Sequence, residues 1–274
     1  VSASTEDRFL AGRLTLQQPA DGYRAGLDAM LLAAAASDLP ASTCLDVGCG
    51  VGAVMLAMAV RRPDCAHLGL ERDPDAIRLC HANIAFNGLS GSASVEAGDH
   101  LARGGPVGFD LVVSNPPFFD DGSAIRGPSR LRRGAYLMDA PLQDWVRGML
   151  RRAGSKGALV LIHRADRLAD ILTALAGKAG DIRVLPIRPR AGSPAKRVIV
   201  SARKGTRAPL SLLPGLDLHP SGADGRYTPE AEAIFSGATL SQALSGSDPQ
   251  GLISTDDGGS ENRETKRGES GAGA

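Results

Sequence analysis

Between residues 43 and 202, short apolar runs alternate with helix-like stretches, and this alternation limits the possible folds more than any other feature. The runs 43–47, 66–71, 93–97, 109–114, 158–163, 182–187 and 196–202 read as strands. Helices are predicted over 51–61, 73–86, 142–152 and 166–177. Asp73 followed by Pro74 supplies an N-cap and a proline at the first helical position, and Asn87-Gly88 ends that helix. Several runs are apolar on both faces, as in parallel strands covered by helices on both sides. The expected fold is α/β, a doubly wound, seven-stranded, mostly parallel sheet. The link between Ile187 and Lys196 contains proline and glycine and is too short for a crossover helix. The last strand is therefore expected to run antiparallel to the sixth.

A chain of 274 residues can bury one substantial core with extensions. The expected division is a covering segment over 1–40, a core over 41–207, an extension packed on it over 208–244, and a disordered tail over 245–274. The covering segment should be helical from 26 to 36, and the extension strand-like over 212–218 and helical over 229–235. Cys44, Cys49, Cys65 and Cys80 form no C-x-x-C pair, which argues against a zinc site or disulfide framework and fits a reducing, cytoplasmic setting. The beginning of the chain, with Glu6 and Asp7, has no apolar signal region. The longest apolar run, 29–36, is far short of the roughly 18 residues of a membrane span.

After the first strand comes Asp46-Val47-Gly48-Cys49-Gly50-Val51-Gly52. In a doubly wound sheet, ligands bind beyond the carboxyl ends of the strands, and glycines there let the backbone turn sharply and approach a ligand. Dinucleotide sites use G-x-G-x-x-G with pyrophosphate on the helix terminus. Here the spacing is G-x-G-x-G behind an acid. A carboxylate repels pyrophosphate and suits S-adenosylmethionine, which carries an ammonium and a sulfonium. Glu71, at the end of the second strand, is placed to accept the ribose hydroxyls. Six parallel strands and a terminal reversal, with this turn, resemble the class I methyltransferases. The resemblance puts the adenine amino group on Asp99, with a turn carboxylate as the bland alternative. Asp28 is expected beside the methionine end of the cofactor, or in an N-cap-like role. Arg24 and Arg72 are counted with the cofactor residues.

The fourth strand ends in Asn115-Pro116-Pro117-Phe118. An exocyclic amine on adenine is a poor nucleophile because its lone pair is delocalised into the ring. Two acceptors gripping its two hydrogens favour a more tetrahedral nitrogen, with the lone pair aimed at the methyl group. The Asn115 side-chain oxygen, which also faces the cofactor, and the Pro116 carbonyl are the candidates. The prolines lock their φ and so the turn, and Phe118 can stack on the base. No strong base is needed; alignment and preorganised hydrogen bonding carry the step. No metal cluster is apparent, and His100 and His163 read as structural. The same geometry serves a planar amide, so protein glutamine and rRNA guanine-N2 methylation stay open, as does a module that binds RNA or cofactor without turnover.

The net charge of +1 hides an asymmetry, since residues 126–207 hold 19 Lys and Arg against 5 Asp and Glu. That surplus suggests a polyanionic partner.

Over residues 10 to about 240 the chain resembles the bacterial valine-tRNA adenine-N6 methyltransferases, a branch of the small-domain methyltransferases. The residues that carry the resemblance are Gly22-Tyr23-Arg24-Ala25-Gly26-Leu27-Asp28, the loop from Asp46 to Gly52, Asn115-Pro116-Pro117-Phe118-Phe119, and the basic stretch from Arg126 to Ala135. It implies S-adenosylmethionine as cofactor and an adenine beside the anticodon of a valine tRNA as target. Arg126, Arg130, Arg132 and Arg133 would flank that base, and Lys196, Arg197, Arg203, Lys204 and Arg207 would meet phosphates, which position RNA without reading its sequence. No metal and no membrane are implied.

Overall fold

The structure, a computed structural model, describes residues 4–20, 24–117, 141–222 and 225–245. It begins with a hairpin, β1 (Ser4–Phe9) and β2 (Leu14–Pro19), which the sequence reading did not anticipate. Leu14 and Leu16 of β2 are buried and alternate with half-exposed residues, the signature of a strand covered on one side. Helix α1 (Leu27–Ser37) follows, then β3 (Thr43–Val47), α2 (Ala53–Arg61), β4 (Ala66–Glu71), α3 (Pro74–Phe86), β5 (Ala93–Ala97) and β6 (Phe109–Ser114). Helix α4 (Leu142–Arg152) leads directly into β7 (Ala153–Arg164), followed by α5 (Leu168–Leu175), β8 (Ala179–Arg190) and β9 (Arg197–Lys204). Short strands β10 (Ser211–Leu212) and β11 (Leu216–His219) and helices α6 (Pro229–Ser236) and α7 (Leu240–Ser245) complete the described chain.

Asp73 caps α3 by accepting from the Asp75 N–H at 2.8 Å, with Pro74 at the first position. Two asparagines one turn apart on α3 hold the hairpin. Asn83 accepts from the Gln17 N–H and donates to its carbonyl, and Asn87 does the same for Thr15. These side-chain amides stand in for a neighbouring strand and satisfy the open edge of β2. Asn83 also donates to the Val51 carbonyl at 3.0 Å, so the hairpin is coupled to the glycine loop.

The main sheet has nine strands, not the seven expected, in the order β10-β8-β9-β7-β6-β3-β4-β5, with β11 also on β8. Strands β3 to β7 pair in parallel, and β8 shares their direction because β9 runs antiparallel to both β7 and β8. Strand β9 is antiparallel, as the short link predicts, and it inserts between β7 and β8. The extra strands come from the extension. Both run parallel to β8 and pair with backbone groups along its outer edge that would otherwise need water. Helix α1 is apolar nearly all round because neighbours surround it. It packs on α2, β7, α6 and α7, so the extension covers it. Leu45, Val112, Leu159 and Leu161 face the other layer, formed with α4 and α5. No described helix is long and apolar enough to cross a membrane.

Candidate cofactor and catalytic site

The glycine loop leaves β3 at the carboxyl edge of the sheet, where β3 lies between β4 and β6. This is the topological switch point of a doubly wound sheet. Gly48, Gly50 and Gly52 all have positive φ (68°, 56° and 90°), a region L side chains rarely adopt. They differ in surroundings. A Cβ on Gly52 would lie 2.8 Å from Cys80 Sγ, and one on Gly48 would lie 3.0 Å from the Trp145 ring. A Cβ on Gly50 would meet nothing within 4 Å. The first two glycines permit close packing beneath the loop, and Gly50 presents open backbone.

Glu71 ends β4 beside this loop. One of its carboxylate oxygens accepts from the Gly50 N–H at 2.8 Å, and the other from the N–H groups of Arg72 and Asp73. A carboxylate has about four acceptor sites, so Glu71 shapes the loop and retains capacity for hydroxyl groups. Arg72 is exposed beside it.

Asp46 is 1% exposed, and its Oδ2 accepts from the Met55 N–H at 3.1 Å. The N-cap of α2 is Gly52, which has no side chain, so Asp46 caps the helix from the preceding strand. Burial pushes its pKa up to about 7; the Met55 N–H opposes this and neighbouring Glu71 adds to it. Because the folded value lies above the ordinary 3.8, the stabilising contribution is fully present below that pH and is lost as pH rises through about 7. Thermal stability is expected to fall between these limits, and Asp46→Asn should flatten the profile of Tm against pH. An unchanged slope in Asp46→Asn would show that other groups produce it.

Asp99 follows β5. Its Oδ1 accepts from the Leu101 N–H at 2.8 Å, a turn role, and the side chain remains half exposed. The loop behind it is held by Arg152, an arginine 1% exposed in the last turn of α4. Its guanidinium donates to the carbonyls of Asp99, His100, Ala102, Gly104 and Pro106 at 2.5 to 3.3 Å.

Asn115, Pro116 and Pro117 follow β6, with Pro116 buried and its neighbours half-buried. Ser114, fully buried, donates to the Val47 carbonyl at 2.7 Å and accepts from the Trp145 indole N–H at 3.0 Å. The Trp145 ring also lies 3.8 Å from His100, centroid to centroid. One side chain of α4 thus touches the glycine loop, the loop after β5 and the residue before Asn115. Burial pushes His100 down to about 4, so this imidazole is neutral at pH 7. His163 Nε2 lies 3.4 Å from the Pro117 carbonyl oxygen. Sequence reasoning did not assign Trp145, Ser114 or Arg152 to the site and took both histidines as isolated. The one available signal was that Trp145 is the only tryptophan of the chain.

The structure therefore gathers Asp46, Gly48, Gly50, Gly52, Glu71, Arg72, Asp99, Asn115, Pro116 and Pro117 along one edge. Asp28 joins the same edge through an ion pair with Arg197 at 3.0 Å, at the start of β9. Arg24 pairs with Asp7 and donates to the Thr5 hydroxyl of β1. The expected phosphate-binding set is divided. Lys196 and Arg197 lie at the carboxyl edge, with Arg197 level with Arg164. Arg203 and Lys204 lie at the opposite end of β9, about 23 Å away at the rise of an extended strand. There they donate to the carbonyls of Lys156 and Ala153, and Arg203 lines an open cleft of about 440 Å³ with Arg62, Asp64 and Asp110. The strand's length separates them, so these residues form no single patch. Phe118, Arg126, Arg130, Arg132 and Arg133 lie outside the described residues. Among the described residues, no cluster of three or more His, Cys, Asp or Glu could hold a metal ion.

The residues fit a cationic nucleoside ligand: an open glycine backbone, Glu71 with spare acceptors, and buried Asp46 close behind. The family model for the methyltransferase small domain matches residues 26–127. The tRNA1(Val) (adenine(37)-N6)-methyltransferase of Porphyromonas gingivalis (strain ATCC 33277) is 33% identical over 238 residues, covering 82% of this chain and 91% of the relative. The release factor glutamine methyltransferase of Salmonella typhimurium is 38% identical, over only 92 residues and 33% of each chain. Among solved structures, a predicted O-methyltransferase, Atu636 from Agrobacterium tumefaciens, superposes with a TM-score of 0.64 at 26% identity, covering 77% of this chain and 97% of that one.

Proposed function

Because the chain belongs to the family of the tRNA1(Val) (adenine(37)-N6)-methyltransferases, we propose that it methylates the exocyclic N6 of an adenine in tRNA, with S-adenosylmethionine as donor. The observation that carries this is the placement of Asn115-Pro116-Pro117 beside the glycine loop, with Ser114 bonded to the Val47 carbonyl. The similarity to the tRNA enzyme spans most of both chains, whereas the likeness to the glutamine methyltransferase is confined to a third of each.

When bound, the cofactor would supply a methyl group from a positively charged sulfur, which would keep the electrons of the broken bond and leave as a neutral thioether. Glu71 would hold its ribose and Asp99 its adenine amino group, while Asp46, whose pKa burial pushes up to about 7, and Asp28, paired with Arg197, would lie near its cationic end. The Asn115 side-chain oxygen and the Pro116 carbonyl accept the two hydrogens of the target amine and turn its lone pair toward the methyl carbon. The methylated amine then loses a proton to water, so no strong base is required. The chain's contribution is orientation and preorganised acceptors. An adenine in a loop is the easiest to extrude from its stack.

Incubating the protein with S-adenosylmethionine and unmodified total tRNA, followed by nucleoside mass spectrometry, is expected to yield N6-methyladenosine. The activity should fall steeply between low and moderate salt, because phosphate contacts release counterions. A protein that binds the cofactor yet methylates no RNA nucleoside would redirect the reading to a protein glutamine. New N2-methylguanosine would redirect it to a guanine.

A further inference from the structure

The rim of the sheet beyond the catalytic segment is formed by the end of β7, the start of β9, the end of β8 and the end of β11. Arg197 is in register with Arg164 on one side and Ile187 on the other, and His219 with Arg190. Carboxylates near this rim are already engaged: Asp28 by Arg197, Asp166 by Arg164, Asp170 by Arg167 and Asp217 by Arg188. Glu230 and Glu232 sit in the first turn of α6, where they offset the helix dipole. Arg190, Lys196 and Arg226 are exposed, and none is paired with a carboxylate among the described residues.

An aromatic platform lies beside these cations. The His219 and Tyr227 rings stack at 4.8 Å with an interplanar angle of 21°, and Tyr227 meets Phe235 edge-on at 4.8 Å. Both residues of the stack are half-exposed. The backbone around Tyr227 is held on both sides. His219 Nδ1 lies 2.7 Å from the Arg226 carbonyl oxygen, the Thr228 N–H donates to the Leu218 carbonyl, and the Thr228 hydroxyl donates to the Asp217 carbonyl. Four strand spacings separate β6 from β11, which is about 19 Å. That equals five or six stacked nucleotides at about 3.4 Å each.

We propose that Arg190, Lys196, Arg226 and the His219–Tyr227 stack form a docking surface for single-stranded RNA adjoining the target base. The surface rests on the preceding reading in taking RNA as the substrate, and it assigns a substrate role to the carboxyl-terminal extension. Cations without carboxylate partners among the described residues, next to a fixed aromatic pair, match the two needs of single-strand binding, backbone neutralisation and base stacking. A peptide substrate offers no regular row of negative charges to meet them.

The test uses the full chain, S-adenosylmethionine and unmodified tRNA. The double variant R190E/R226E is expected to raise the KM for tRNA about tenfold or more and to make the dependence of log kcat/KM on log salt shallower by about 1.4. Y227L, which keeps an apolar contact for Phe235, should raise that KM by about fivefold or more. S-adenosylmethionine binding, measured by calorimetry, should match wild type in each and so certifies the fold. K178E, an exposed charge reversal at the opposite edge, should leave the KM for tRNA unchanged. Wild-type kinetics in R190E/R226E while the wild-type protein methylates tRNA would overturn this surface alone. An equal loss in K178E would reduce the effect to overall charge and overturn it too. Methylation of protein and of no RNA would overturn both this surface and the reading it rests on.

Discussion

Asn115→Ala is expected to lower kcat by about 10²–10³, the usual cost of removing one preorganised group that acts on the transition state. The argument rests on how the segment is held. Ser114 is locked by the Val47 carbonyl and the Trp145 indole, Pro116 is buried, and the Pro117 carbonyl lies against His163. Truncating Asn115 therefore leaves the turn in place and removes an acceptor. Stability should change little, since the residue is only half-buried. Affinity for S-adenosylmethionine should stay within a few-fold of wild type, so the loss would appear in single-turnover rate. Asn115→Asp keeps an oxygen at that position and should retain more activity than alanine. A variant that binds cofactor normally and turns over within about tenfold of wild type would remove Asn115 from its assigned role.

Arg152→Met is expected to destabilise the protein by about 3 kcal/mol, through carbonyls left without a donor. Arg152 is almost completely buried and donates to five main-chain carbonyls between Asp99 and Pro106. Two effects oppose each other. Removing a buried cation relieves its desolvation, while the freed carbonyls lose their partner. The second dominates because the guanidinium is well solvated by those carbonyls, though water can reach part of the exposed loop and limits the loss. For a domain of this size Tm should drop by about 6–12 °C. The KM for S-adenosylmethionine should rise, because the loop begins at Asp99. A Tm within about 2 °C of wild type would show that the loop holds itself.

Several elements could be read from the chain alone because their causes are local. Strands β3 to β6 are short apolar runs bounded by turn residues, and their limits match the runs. Helix α3 carries its own start in Asp73-Pro74 and its stop in Asn87-Gly88. The reversal of β9 follows from a link too short for a helix. Strands β7 and β8 proved longer than their apolar cores. The added length at the start of each strand is irregular: Ser155 and Lys156 of β7 and Asp181 of β8 fall in register shifts, Lys156 and Asp181 at positive φ, while Arg183 returns to the ladder opposite Ser201. The hairpin β1–β2 escaped notice because its partner is a pair of asparagine side chains more than sixty residues away.

The glycine loop, Glu71 and Asn115-Pro116-Pro117 were legible because each is a short stretch whose residue types already carry its chemistry. The sequence by itself determined the sheet type, the position of the switch point and the kind of reaction the edge can support. Only the tertiary structure decided how that edge is held and where its charges lie. Asp46 turned out to cap α2 from the preceding strand. Trp145 joined three loops, Arg152 gathered five carbonyls, and the length of β9 split one run of arginines between opposite edges. These are contacts between residues distant in sequence, set by which strands become neighbours, and no local pattern encodes them.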